Sequence, residues 1–143
     1  MSPNIQIVFD AADPARLASF WADALGYVVQ PPPDGWASWE EWAVSMGIPE
    51  GHWNDASAVV DPDGSGPRIF FQRVPEAKTV KNRVHLDVGV GDHDLPAGER
   101  RRRLDAEVVR LGGLGATVVE AREQRSEVWV VMQDPEGNEF CVV

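Results

Sequence analysis

Apolar and polar side chains alternate between residues 4 and 10. Ile5, Ile7 and Phe9 fall on one face, and Gln6, Val8 and Asp10 on the other. That period of two predicts a half-buried strand. Asp13 stands where a helix needs a cap, and Pro14 suits the first helical position. Leu17, Phe20, Trp21, Ala24 and Leu25 then recur at helical spacing until Gly26. Residues 27–30 read as a second strand, broken by Pro31-Pro32-Pro33-Asp34-Gly35. Trp36, Trp39, Trp42 and Met46 fall three or four apart, which predicts a short helix over 36–47. Strands follow over 56–60 and 69–74, joined by the turn Asp61-Pro62-Asp63-Gly64.

The second half repeats this order after a polar linker over 75–82. Val84, Leu86, Val88 and Val90 alternate with His85, Asp87 and Gly89, so a strand opens it. A charged helix over 96–111 carries Leu104, Val108 and Leu111 on its apolar stripe. Strands over 117–120, 128–133 and 140–143 complete the set, with Asp134-Pro135-Glu136-Gly137 as the matching turn. Gly112-Gly113-Leu114-Gly115 follows a helix, so it reads as a helix stop and not as a phosphate loop, which precedes one. Each half is thus β-α-β-β-β. Neither copy is expected to fill a core alone, and a cleft shared by the two is the expected site.

Charge and composition narrow the function. Net charge is −10 over 143 residues, which disfavours nucleic acid and anionic membrane surfaces as partners. No run approaches the roughly 18 apolar residues of a membrane span, and no leader pattern opens the chain. One cysteine, Cys141, excludes an intrachain disulfide and fits a reducing cytoplasm. The run Arg100 to Arg103 is interleaved with Glu99, Asp105 and Glu107 and reads as a solvated helix face.

Several segments together resemble one family. They are Asp10-Ala-Ala-Asp13-Pro-Ala-Arg-Leu-Ala-Ser-Phe-Trp21 with Leu25-Gly26-Tyr27, then Phe71-Gln72-Arg73-Val74-Pro75-Glu76, His85-Leu86-Asp87-Val88, Leu114-Gly115-Ala116, and Asp134-Pro-Glu-Gly-Asn-Glu-Phe-Cys141. In that order they resemble the vicinal oxygen chelate superfamily, the glyoxalase/bleomycin-resistance/dioxygenase fold, and most its glyoxalase-like domain subgroup. The resemblance implies an α+β fold of two tandem βαβββ modules forming a cupped mixed sheet. It implies a single domain over 1–143, with module one about 4–75 and module two about 83–143, and a homodimer.

Metal-dependent members of the superfamily use His or Gln on the opening strand and Glu on the last strand of a module. The resemblance maps those positions to Gln6, Gln72, His85 and Cys141. Both glutamates are absent. One imidazole, two amides and a thiol serve magnesium or manganese poorly. Zinc or nickel could use the imidazole and thiolate. No metal and no other cofactor is assigned, and a divalent ion stays an open alternative.

The chemistry is therefore placed on His85, which shares its strand face with Asp87, and a carboxylate there can hold one imidazole tautomer. His85 and Gln6 are the candidate catalytic pair. Gln72, Asp87 and Cys141 are candidate ligand contacts, and Trp36, Trp39 and Trp53 a candidate aromatic lid. No basic residue lies near Cys141 in sequence, so it is not read as a nucleophile. Two functions stay open. One is a small-molecule enzyme of lyase or isomerase type, with glyoxalase I activity disfavoured. The other is non-catalytic sequestration of a small molecule or antibiotic, of the bleomycin-resistance kind. Polar cavity liners, bonded to each other or to water, and core tryptophans remain the plain alternative for these side chains.

Overall fold

The strand–helix order expected for each half is the order observed. A computed structural model describes residues 1–143 and divides into two units, Met1–Ala77 and Lys78–Val143. The first contains β1 (Ile7–Ala11), α1 (Pro14–Leu25), β2 (Val28–Val29), α2 (Trp39–Ser45), a 3-10 turn (Glu50–His52), β3 (Ala56–Val60) and β4 (Ile69–Arg73). The second contains β5 (Asp87–Val88), α3 (Ala97–Leu114), β6 (Thr117–Gln124), β7 (Glu127–Gln133) and β8 (Glu139–Val142). The sheets have orders β1-β4-β3-β2 and β5-β8-β7-β6, so the topology is duplicated. In each, the first and last strands pair in parallel and the other pairs are antiparallel.

Local chemistry explains the elements. Asp13 caps α1 by accepting from the Arg16 N–H at 3.2 Å, and Gly26 ends it in the left-handed region at φ 69°. Asn54, which the sequence did not mark, donates to Asp13 at 2.8 Å and accepts from the Ala15 N–H at 2.8 Å. Both Asp-Pro-x-Gly segments make the same turn. Asp61 Oδ1 accepts from Asp63 N–H, and Asp134 Oδ1 from Glu136 N–H, each at 2.9 Å.

One face of each sheet is covered by its own helix. In the first unit Phe9 lies 5.4 Å from the Trp21 ring and 5.5 Å from Phe71, between α1 and the sheet. Leu17, Trp21, Val59, Ile69 and Phe71 are buried. In the second, Leu104 and Leu111 of α3 are buried with Val130, Met132, Phe140 and Val142.

Several expectations change. Ile5 and Val84 were expected in the cores, but they precede the paired strand segments and are 78% and 83% exposed. β5 keeps only two ladder residues of the strand expected over 84–90. α3 runs through Gly112 and Gly113 and stops at Gly115, φ 118°, because Leu111 anchors the last turn in the core. β6 extends to Gln124, past the strand expected over 117–120, and closes a hairpin with β7. No helix is long and apolar enough to cross a membrane.

Candidate functional site

The strand period decides which side chains leave the core. With Val88, Phe140 and Val142 facing α3, His85, Asp87 and Cys141 lie on the opposite face of the second sheet. Asp87 sits opposite Cys141 in the parallel ladder, and the Cys141 N–H donates to the Leu86 carbonyl at 2.9 Å. His85 Nε2 is 3.4 Å from Asp87 Oδ1. One nitrogen, one carboxylate oxygen and the Cys141 sulfur fall within 4.8 Å of one another. Burial pushes the Cys141 thiol up, the Asp87 carboxylate adds to this, and Lys81 and Arg122 oppose it. The thiol is thus held protonated, as expected of a wall rather than a nucleophile.

Two further residues lie on this face: Trp129, unmarked in the sequence, and Glu139, which strand alternation already turns this way. Trp129 pairs with Arg122 across the β6–β7 ladder on the side away from the core. Its signal was available, since Val128, Val130 and Met132 alternate with it. Glu139 is the one carboxylate on β8. It accepts from the Asn82 N–H at 2.9 Å and faces Lys78 Nζ at 3.1 Å. Lys78 also donates to the Val80 carbonyl. Burial alone would raise the Glu139 pKa, but the N–H donors of Asn82 and of Glu139 itself, together with Lys78, lower it to about 2.

In the first unit the corresponding face carries Gln6, Val8, Asp10, Phe70 and Gln72. Gln6 is committed to Arg68, whose Nη1 donates to Gln6 Oε1 at 2.6 Å. Arg68 Nε donates to Gln30 Oε1 at 2.7 Å. Gln72 lies opposite Asp10 in the β1–β4 ladder, four residues along from Gln6. The expected correspondence of Gln72 with Cys141 shifts by two. Ile7 N–H donates to Arg68 O and Cys141 N–H to Leu86 O, so if Gln6 matches His85, the counterpart of Cys141 is Phe70.

The tryptophans divide. Trp36 and Trp39 are 40% and 38% exposed. Trp39 donates to the Gln30 carbonyl at 2.7 Å and packs edge-on against Trp42. Trp53 is half-buried and spends its N–H on the Ile48 carbonyl at 3.0 Å, so it braces the turn after α2. A cavity of about 160 Å³ in the second unit is lined by Val90, His93, Arg100, Leu104 and Val128 among others. Leu104 and Val128 belong to the helix-facing side of that sheet, so this cavity is not the place of the His85 group.

The metal set implied by the resemblance does not fit these residues. Gln6 already serves a guanidinium, whose positive charge repels a cation there. Glu139 is held by Lys78 and Asn82. What remains in the second unit, His85, Asp87 and Cys141, is an incomplete and chemically mixed set.

Comparison with known proteins agrees with the duplicated topology. The family model described as "Glyoxalase-like domain" matches residues 6–143. This chain belongs to that family, within the glyoxalase/bleomycin-resistance superfamily. No curated protein matches it. A solved structure titled a possible glyoxalase from Bacillus cereus is 13% identical, with a TM-score of 0.62 over 100% of this chain and 99% of that one. A hypothetical protein from S. aureus is 15% identical, with a TM-score of 0.59 over 99% and 96%. A fosfomycin resistance protein from Mesorhizobium loti is 12% identical, with a TM-score of 0.62 over 99% and 90%. At such identities the likeness concerns the fold.

Proposed function

We propose that this protein binds a small organic molecule against the exposed sheet face of its second module, and that His85 acts on it as general base or hydrogen-bond donor. The observation that supports this best is the meeting of His85, Asp87 and Cys141 within 4.8 Å on the side of the sheet away from α3. With Nε2 turned toward Asp87, Nδ1 is the ring nitrogen left for a ligand. Asp87 orients the ring, so the imidazole can take a proton from an acidic C–H or O–H and return it. That is lyase or isomerase chemistry. Cys141 and Trp129 supply the apolar wall.

The test is His85→Ala, after intrinsic tryptophan fluorescence has identified a ligand from a small-molecule screen. The imidazole is 43% exposed, so its loss costs less than about 0.5 kcal/mol of stability. Binding is retained and turnover falls by on the order of 100-fold or more. Turnover unchanged in His85→Ala removes the reading.

The exposed rings of Trp36 and Trp39 favour a second reading, sequestration without chemistry. There the ligand is recovered unaltered after stoichiometric binding, and His85→Ala binds as the wild type does. Both readings place the protein in the cytoplasm as a homodimer, and sedimentation velocity checks the dimer.

A further inference from the structure

We infer that Arg68 is the anchor of an oxyanion-binding site on the first module, taking the carboxylate or phosphoryl group of a small molecule with a flat or apolar body. The inference goes beyond the His85 reading and does not depend on it.

Arg68 is held by two side-chain amides and an aromatic ring. Its Nε and Nη1 donate to the side-chain carbonyls of Gln30 and Gln6, at 2.7 and 2.6 Å. Its guanidinium carbon lies 5.3 Å from the Phe70 ring centre. These contacts orient the plane without neutralising the charge, because both acceptors are neutral amides. A guanidinium has five N–H groups, so three remain, two of them on Nη2. Arg68 makes no ion pair, although the chain holds 23 acidic residues against 13 basic ones. By contrast Arg101, Arg102, Arg103, Arg110 and Arg122 each meet a carboxylate.

A fixed, half-buried guanidinium with free N–H groups and no counter-ion is suited to planar, two-point recognition of an oxyanion. The surroundings give the ligand its body. Phe70 lies beneath the guanidinium, and the Trp39 indole is tied to the Gln30 carbonyl at 2.7 Å, beside the same glutamine that orients Arg68. Gln6 and Gln30 are positioning residues that act through Arg68.

The experiment titrates the full chain with benzoate, phenylphosphonate and the neutral benzamide. It follows tryptophan fluorescence and the arginine Nε–H resonances of 15N-labelled protein. The expected result is saturable binding of at least one anion with a shift of the Arg68 resonance, and no matching response to benzamide. The tighter anion names the group. Arg68→Gln weakens that binding by about tenfold or more, and Arg68→Lys also weakens it because the fork is lost. Arg101→Gln, which removes the same charge elsewhere, leaves it within about twofold. Benzamide binding as tightly as the anions overturns the inference. So does an equal effect of the Arg68 and Arg101 variants, or no saturable anion binding by the wild type. The resonance shift is read in wild-type protein, so a poorly folded variant does not spare the idea. Anion binding without any turnover leaves Arg68 standing and removes the catalytic role of His85. Turnover that depends on His85, with no anion response at Arg68, does the reverse.

Discussion

Glu139 illustrates how a residue's partners decide its role. It stands on the last strand of its module, beside the position where the superfamily places a metal-ligating glutamate. Here Lys78 and the Asn82 N–H occupy it, and its pKa falls from the ordinary 4.5 to about 2. A depressed carboxylate contributes stability that is fully present above pH 4.5 and is lost as pH falls toward 2. Discounted for partial exposure of the pair, the contribution is on the order of 2 kcal/mol. Glu139→Gln is therefore expected to lower unfolding stability by about that much at pH 7. The gap between variant and wild type closes as the pH approaches 2. Urea unfolding at pH 7, 4 and 3 checks both. The linker side chain Lys78 was read only as polar sequence. Its partner lies 61 residues away, a distance no local pattern spans.

At the scale of elements, caps and turns were legible because their chemistry is local. Asp13, Pro14, Gly26 and the two Asp-Pro-x-Gly turns act within four residues. The β6–β7 hairpin was not, because Arg125 and Ser126 lack the usual turn composition. Both adopt positive φ, 51° and 69°, in a two-residue connection between Gln124 and Glu127. That is the backbone of a type I′ turn, which favours Asn-Gly. The double variant Arg125→Asn, Ser126→Gly is expected to stabilise the protein by about 1 kcal/mol, since each native residue sits in a left-handed conformation it disfavours. The denaturation midpoint should rise with an unchanged m-value; a fall would mean that these side chains contribute more than the backbone loses.

For the whole molecule, duplication is the organising fact. Each unit has its own sheet, helix and buried aromatic or aliphatic core. Phe71→Ala empties the centre of the first core and should cost about 3–5 kcal/mol. Hydrogen exchange is expected to accelerate most among the amides of residues 7–73, and less among those of residues 87–142. Uniform acceleration across the chain would show instead that the two cores open together. The sequence by itself determined the repeat, the β-α-β-β-β order, the caps, and the face on which His85 and Asp87 lie. Those features follow from spacing within an element, where geometry repeats every two or 3.6 residues. Only the tertiary structure decided that Gln6 serves Arg68, that Lys78 takes Glu139, and that Cys141 meets Asp87. It also decided that Ile5 and Val84 lie outside the cores. Each of these depends on which strand lies beside which and where pairing begins, and residues 61 or 62 apart in sequence meet only after the chain has closed on itself.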